Sequence, residues 1–363
     1  MVDQADSGTA PIPSFWEQKA AERTLRQAAT SGLLPRALLL CGPDGVGKWA
    51  AAQWVARWLL CREHAGADPC GTCRDCQRVT LGTHPDLHLL YPVPSKSEEA
   101  QSVFLAAKRD DPFAVVRFDR RAYITIDRIR AVISELSKTS VEGGAKVVII
   151  DSADKTGNDD HQSVLLKTIE EPPPNAYFIL TSSSPERLLS TIISRCQMVR
   201  FVPVDPATIA KRLADGRGLD SEAAATVAHL CGGGWGNALR LATEEAKAWR
   251  EVVGELWRGA FTAKTPALLS QIATTFPSGR SGVGFDAALQ AFDVWGLCLL
   301  QDCGRIGARE SQRTDGAPLP DLETGWACWR ILQNGRGTLY VNVADRHAIS
   351  GTFLALRRRL RCP

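Results

Sequence analysis

The chain has 363 residues, of which 44% are hydrophobic and 23% are charged, a globular composition that excludes wholesale disorder and fibrous repeats. Its 43 Lys and Arg against 40 Asp and Glu give a net charge of +3, too small to indicate nucleic-acid binding by bulk charge. It has no apolar run of membrane length and no signal-peptide core in the polar residues 1–14, so we predict a cytoplasmic protein with no membrane partner. The length predicts two or three domains, and the 11 cysteines are expected to be thiols or metal ligands.

The first part of the chain alternates helical periodicity with short apolar runs. After a flexible leader, residues 1–14, helices are predicted at 15–31, 50–60, 124–136 and 163–169. Strands are predicted at 36–41, 146–151, 176–181 and 198–202. Near-continuous apolar strands between helices predict a parallel sheet that is covered on both faces. Residues 94–120 are charged and show little pattern, so no element is predicted there.

From residue 206 onwards the pattern is helical only. Helices are predicted at 207–214, 221–230 and 237–248, and residues 250–363 are helix-like throughout. Four tryptophans of this last segment are expected in its core: Trp257, Trp295, Trp326 and Trp329.

A glycine-rich loop joins the first predicted strand to the second helix. It contains Gly42, Gly45 and Gly47 and ends in Lys48, the spacing of a loop whose backbone N–H groups cradle phosphate. The alternative is a glycine turn beside a solvated lysine. The next residue in such loops is Ser or Thr, whose hydroxyl binds Mg²⁺, but here it is Trp49.

The strand predicted at 146–151 ends in Asp151, where a Walker-B aspartate would hold Mg²⁺. The residue after it is Ser152 instead of the Glu that activates water in hydrolysing relatives. Asp154 is interpreted as a helix-start residue. These features predict a degenerate nucleotide pocket that binds ATP or ADP weakly, without hydrolysis.

Four cysteines lie within sixteen residues: Cys61, Cys70, Cys73 and Cys76. Two of the spacings are Cys-x2-Cys, and four thiolates satisfy a tetrahedral Zn²⁺, so residues 61–76 are predicted to be a polar loop that holds a closed, structural zinc site. An iron–sulfur cluster and four free thiols are the alternatives. His64 is interpreted as a loop residue, because four cysteines already complete the site.

Taken together, the phosphate loop, the cysteines right after the helix that follows it, the segment Leu165–Pro173 and the triplet Ser194-Arg195-Cys196 resemble one family. They are similar to the bacterial clamp-loader subunits of the DNA polymerase III holoenzyme, which are AAA+ proteins. The resemblance implies an α/β fold of the AAA+ P-loop NTPase type with a zinc module. It also implies four parts: leader 1–14, AAA+ domain 15–205, helical lid 206–248 and helical C-terminal collar 249–363.

Two kinds of subunit of this family compete. Gamma/tau subunits hydrolyse ATP, whereas the delta-prime subunit has degenerate motifs, and Trp49 and Ser152 favour the latter. The sensor-2 arginine of gamma corresponds roughly to Gly236, and the first sensor to residues 181–183. The resemblance implies a largely non-hydrolysing stator in which Arg195 acts as an arginine finger on a neighbour's nucleotide. The implied partners are gamma/tau and delta subunits and, through the complex, the sliding clamp and primed DNA.

Other interpretations stay open. The chain could be an ATP-hydrolysing gamma/tau-type subunit, a zinc-dependent DNA-binding module or, ranked last, a phosphotransferase. Glu170 and Glu171 are poor candidates for paired catalytic acids, because adjacent helical residues do not face each other. The basic run Arg357–Arg361 is interpreted first as a helix end that favours cations and second as a DNA contact.

Overall fold

The computed structural model describes residues 14–64, 68–94, 97–118, 122–156, 159–276, 287–288, 290–296, 298–299, 321–339 and 345–361. The described residues divide into two compact units: the first contains the residues up to Val116 and those from 122 to 240, and the second contains residues 117–118 and those from Leu241 onwards. The four-part division predicted from the sequence stays a prediction. None of the helices among the described residues is long and apolar enough to cross a bilayer.

Five parallel strands form the sheet of the first unit, in the order β2-β3-β4-β1-β5. The strands are β1 (Ala37–Cys41), β2 (Leu87–Leu90), β3 (Lys146–Ile150), β4 (Ala176–Ser182) and β5 (Gln197–Arg200). The interior strand β1 pairs Leu39 with Leu180 of β4 on one side and with Met198 of β5 on the other. Every residue of β1 and β3 is buried, as expected for strands covered on both faces. The predicted parallel sheet is therefore confirmed.

Helices pack on both faces of this sheet. The helices described before the second unit are α1 (Lys19–Thr30), α2 (Lys48–Leu60), α3 (Arg74–Leu81), α4 (Glu98–Asp110), α5 (Ile126–Leu136), α6 (Asp159–Glu170), α7 (Ser190–Arg195), α8 (Pro206–Arg217), α9 (Ser221–Leu230) and α10 (Trp235–Leu241), whose last residue already belongs to the second unit. Of these, α2 packs on one face of the sheet, and α5, α6 and α7 pack on the other. Alternate residues of β1, such as Leu39, join one core cluster with α5, α6 and α7. Leu38 and Leu40 point the other way by strand alternation, toward the face on which α2 packs.

The structure corrects the sequence analysis at two places in the first unit. One is the stretch after Cys73, which contains α3 and the short strand β2 without a predicted element, and the other is α4, which lies within the patternless segment 94–120. The helical signals of α4 are nevertheless present. Ser97 caps its first turn by accepting from the N–H of Ala100, and Ala100, Phe104 and Lys108 repeat every four residues on its buried face.

A third correction concerns the predicted helix at 237–248, which is two helices. One ends at Leu241 and the next, α11 (Glu244–Thr262), begins after Thr243. The hydroxyl of Thr243 accepts from the N–H of Ala246, so a side-chain cap starts a new helix where periodicity alone suggests a continuous one.

The elements described in the second unit are helices, as predicted. Besides α11 it contains α12 (Thr265–Thr275), α13 (Leu322–Thr338) and α14 (Asp345–Arg361). Trp257 and Trp295 are buried, whereas Trp329 is partly buried. The expectation for Trp326 is wrong, because 64% of this residue is exposed: it lies on the outer side of α13. Arg357 is buried and donates to the Ala263 carbonyl, so this member of the basic run packs within the unit.

Candidate functional site

The phosphate-type loop lies between the end of β1 and the start of α2. Gly45 and Gly47 have φ angles of +76° and +106°, which L side chains rarely adopt. The Lys48 ammonium is buried and donates to the carbonyls of Gly42 (2.5 Å) and Pro43 (2.6 Å). Burial lowers the pKa of Lys48, and the carboxylate of Asp44 opposes that shift. The loop thus has the shape predicted for it, with its lysine turned onto its own backbone.

Asp151 follows β3 and lies beside this loop. One of its carboxylate oxygens accepts from the Thr181 hydroxyl at 2.7 Å, and the same hydroxyl accepts from the N–H of Ser152 at 2.9 Å. The first-sensor segment predicted at 181–183 therefore contacts the acidic strand end directly.

Asp154 lies in the first turn of a short 3-10 helix, Ala153–Lys155, so it is a helix-start residue as predicted, although its side chain does not cap that helix. It is buried and accepts from the Ser182 hydroxyl (2.7 Å) and from the N–H of Ser183 (3.1 Å). Burial raises the pKa of Asp154 above its ordinary value. Its role is to join the turn after β3 to the end of β4.

Sequence reasoning missed a buried lysine in this pocket. The ammonium of Lys108, on α4, lies 3.9 Å from the second carboxylate oxygen of Asp151. It also lies 5.2 Å from the ring centre of Trp49 and 5.6 Å from that of Phe104. Recognition of α4 as a helix from its cap and its four-residue repeat would have placed Lys108 on the buried face.

The helix α10 begins against the phosphate loop. The N–H of Gly236 donates to the Gly45 carbonyl at 3.1 Å, and the Asn237 side chain donates to the Asp44 carbonyl at 3.1 Å. A Cβ on Gly236 would overlap the Phe113 carbonyl oxygen, so glycine is needed here for close approach. By the resemblance, Gly236 corresponds to the sensor-2 arginine of gamma. In this chain the residue contacts the phosphate loop through its backbone and has no side chain to reach a nucleotide.

The four predicted zinc cysteines come together. The Sγ of Cys61 lies 3.6 Å from that of Cys70 and 4.0 Å from that of Cys73, and the Sγ atoms of Cys70 and Cys76 are 3.9 Å apart. Four sulfurs bound at about 2.3 Å to one tetrahedral ion lie about 3.8 Å from each other, so the spacing fits Zn²⁺. Cys76 belongs to α3, so the predicted polar loop of 61–76 ends in a helix.

Backbone groups in the cluster favour thiolate ligands. The N–H groups of Cys70, Cys73 and Cys76 point at the sulfurs of Cys61, Cys70 and Cys73, respectively. The hydrogen bond from the Cys73 N–H contributes most to lowering the pKa of Cys70 to about 6. Burial instead raises the pKa of Cys61. Such N–H donors compensate the negative charge that four thiolates place around one divalent ion.

Side chains around the cluster bind it to the rest of the unit. Arg62 pairs with Asp75 (3.1 Å) and with Glu142 (2.6 Å), and Arg78 pairs with Glu142 (3.4 Å). The ring of His64 lies 4.3 Å from that of Trp58, outside the sulfur cluster, as predicted.

Arg195 is the last residue of α7, and its side chain is 43% exposed. Its guanidinium pairs with Glu170 at 2.8 Å and donates to the Thr191 carbonyl at 3.3 Å. At the other end of α7, the buried Gln162 side chain accepts from the N–H of Leu189 (2.8 Å). Polar contacts from α6 therefore hold both ends of the short helix that carries Arg195.

Comparisons with known proteins agree with this architecture. The family model described as DNA polymerase III, delta subunit, matches residues 17–205. The DNA polymerase III subunit delta' of Bacillus subtilis is 37% identical over 180 residues, 50% of this chain and 46% of that protein. The subunit tau of the same organism is 29% identical over 197 residues, 54% of this chain and 30% of that protein. The chain therefore spans less than half the length of these relatives.

Among solved structures, a DNA polymerase III gamma subunit-related protein from Thermotoga maritima is 14% identical with a TM-score of 0.45. The match covers 94% of this chain and 100% of that one.

Proposed function

The chain belongs to the DNA polymerase III delta subunit family, and from this premise we propose that it is a delta-prime-like subunit of the clamp loader. In this role it assembles with gamma/tau and delta subunits in the cytoplasm. The complex loads the sliding clamp onto primed DNA during replication. This chain is a largely non-hydrolysing stator, a component of the holoenzyme rather than an enzyme by itself.

The observation that carries this proposal is Trp49 in the place of a magnesium-binding hydroxyl. Its ring is 4% exposed and packs edge to face on Phe104, with ring centres 5.7 Å apart. An indole offers Mg²⁺ no oxygen ligand, and Mg²⁺ needs an octahedral oxygen shell. Gly42, Gly45, Gly47 and Lys48 can still cradle phosphate, so weak ATP or ADP binding without turnover belongs to the proposal.

The second part of the proposal gives Arg195 a role in trans, as an arginine finger against a nucleotide on an adjacent gamma/tau subunit. A guanidinium is always charged and matches phosphoryl oxygens in geometry, so it stabilises the negative charge that develops during hydrolysis. The exposure of Arg195 and its support by Glu170 are consistent with delivery to another chain.

The third part is a structural zinc ion on Cys61, Cys70, Cys73 and Cys76. The sulfur spacing and the N–H donors support this ligand set. A closed set of four thiolates leaves no position for a substrate, so the ion contributes to folding and not to chemistry.

Reconstitution with the organism's own gamma/tau, delta and clamp tests the proposal. The isolated chain should hydrolyse no ATP. Arg195→Ala should lower the clamp- and DNA-stimulated ATPase rate by about tenfold or more, since such fingers contribute up to about 10³–10⁵ in other NTPases. Arg200→Ala, which removes an exposed arginine of β5, is the matched control and should keep the rate. Assembly, followed by size-exclusion chromatography, should be intact in both variants.

Other outcomes would favour the alternatives. Turnover by the isolated chain would indicate a gamma/tau-type motor subunit. Salt-dependent DNA binding that is lost on Cys73→Ser would indicate a zinc-dependent DNA-binding module. The contacts of Arg62 and Arg78 speak against that module, because two of the three arginines near the cluster are paired with Glu142 and only Arg74 is left.

A further inference from the structure

The buried ammonium of Lys108 lies where P-loop NTPases place a divalent ion. In those proteins the ion is held between the hydroxyl after the loop lysine and the Walker-B aspartate. Here the two positions are Trp49 and Asp151. Lys108 lies between them, 3.9 Å from Asp151 and over the ring of Trp49, and is 8% exposed.

Both carboxylate oxygens of Asp151 have neighbours. Oδ1 accepts from the Thr181 hydroxyl at 2.7 Å, and Oδ2 faces the Lys108 ammonium. A Mg²⁺ ion would need an Asp151 oxygen at about 2.1 Å. Bound on the Lys108 side, it would bring two positive charges next to an ammonium that is already withdrawn from water.

The charges of the surrounding cleft lead to the same conclusion. Its lining includes three lysines, Lys48, Lys108 and Lys155, against two aspartates, Asp44 and Asp151. The lining itself therefore carries more lysines than carboxylates, while Asp154 and Asp111 lie near enough to interact with Lys48 and Lys108, respectively. Like charges at short range in a partly desolvated site repel strongly, so this lining disfavours a further divalent cation.

Trp49 and Lys108 also stabilise each other. An ammonium removed from water gains from an aromatic face, and indole is the best of the aromatic side chains for this contact. A Ser or Thr at position 49 would supply a metal ligand but no such face. The two departures from an NTPase pocket thus belong together: one removes the metal ligand, and the other supplies the cation.

We propose that Lys108 is the resident cation of this pocket, so that its ammonium replaces the divalent metal ion at Asp151 and the chain holds no Mg²⁺ there. The Trp49 ring shields this ammonium from solvent. The proposal concerns only residues of this chain, and it does not depend on a role in the clamp loader.

A double-mutant cycle on the full, zinc-loaded chain tests the pairing. Lys108→Met and Asp151→Asn should each lower the folding equilibrium constant in urea by about tenfold or more, because each leaves a buried charge unpaired. The double variant should lose no more than the worse single variant. Lys155→Ala, another lysine of the cleft, should combine additively with Asp151→Asn as the matched control. If Lys108→Met alone does not fold, a folded double variant supports the proposal and an unfolded one overturns it.

Magnesium dependence distinguishes a replaced metal from an ordinary ion pair. Thermal unfolding of the zinc-loaded chain is measured with and without added Mg²⁺, after dialysis has removed free Mg²⁺ and with no chelator that would strip the zinc. Mg²⁺ should not change the melting temperature of the wild-type chain. It should raise the melting temperature of Lys108→Ala, and it should not change that of the double variant Lys108→Ala/Asp151→Asn. Additive effects in the cycle would overturn the proposal. So would an Asp151-dependent Mg²⁺ stabilisation of the wild type, or a Lys108→Ala variant that ignores Mg²⁺.

Discussion

Asp68 connects the cysteine loop to the helices beneath it, and its removal should have a measurable cost. One of its carboxylate oxygens accepts from the indole N–H of buried Trp54 (2.9 Å) and from Arg26 (2.6 Å). In Asp68→Ala the Trp54 donor loses its partner, which costs about 1–3 kcal/mol. The Arg26 pair is partly exposed (32% and 46%) and adds at most about 1 kcal/mol, since Arg26 keeps Glu22. We expect a total loss of about 2–3 kcal/mol.

Urea unfolding of the zinc-loaded chain, followed by circular dichroism, measures this loss. Asp68→Asn keeps an oxygen for Trp54 and should lose about 1 kcal/mol, and Glu63→Ala, an exposed acid in the same loop, should lose almost nothing. If Asp68→Ala lies within 0.5 kcal/mol of Glu63→Ala, this account of the contact is refuted.

The contribution of Asp68 should also depend on pH. Burial alone would raise the pKa of Asp68, but the hydrogen bonds from Arg26 and Trp54 outweigh it and hold that pKa below its ordinary value. A carboxyl whose pKa is lower in the folded state stabilises the fold above its unfolded pKa of about 3.9, and this stabilisation is lost as pH falls through the folded pKa. The difference between wild type and Asp68→Ala should therefore be largest near neutral pH and shrink below about pH 4.

Three further predictions concern the other parts of the site. Glu170→Gln weakens the ion pair with half-exposed Arg195, so it should change the free energy of unfolding by under about 1 kcal/mol. It should nevertheless lower kcat of the reconstituted ATPase more than it raises KM. An equal effect of Glu171→Gln on kcat would contradict a positioning role for Glu170. Metal analysis should find one zinc ion per chain, and chelation should lower the melting temperature; a metal-free chain with unchanged stability would rule out the zinc site. Gly236→Ala should lower the free energy of unfolding by about 1–3 kcal/mol, because the new Cβ would overlap a facing carbonyl oxygen. Gly351→Ala, at a helical glycine with open space around it, should raise the free energy of unfolding. Equal effects of the two variants would refute the close contact at Gly236.

The features that sequence reasoning found have a local signature. The loop ending in Lys48, the central strands and the four cysteines are each encoded within a few consecutive residues, by glycine spacing, apolar runs or ligand spacing. The features it missed have weaker local signals. The strand β2 has only four residues, and α4 lies in a charged segment where its cap at Ser97 and its sparse apolar repeat are hard to recognise. Trp326 shows that an aromatic residue in a helical pattern is not buried by that fact alone.

The sequence by itself determined the fold class, the phosphate-type loop with Trp49 in the place of a hydroxyl residue, and the cluster of four cysteines. Only the tertiary structure decided which distant residues meet around the loop. Lys108 and Asp151 are 43 positions apart and meet because α4 packs beside the end of β3. Gly236 reaches Gly45 because α10 begins against the loop, and Arg195 is held by Glu170 across two helices. Such contacts depend on how elements pack, and packing joins residues whose separation along the chain carries no periodic signal.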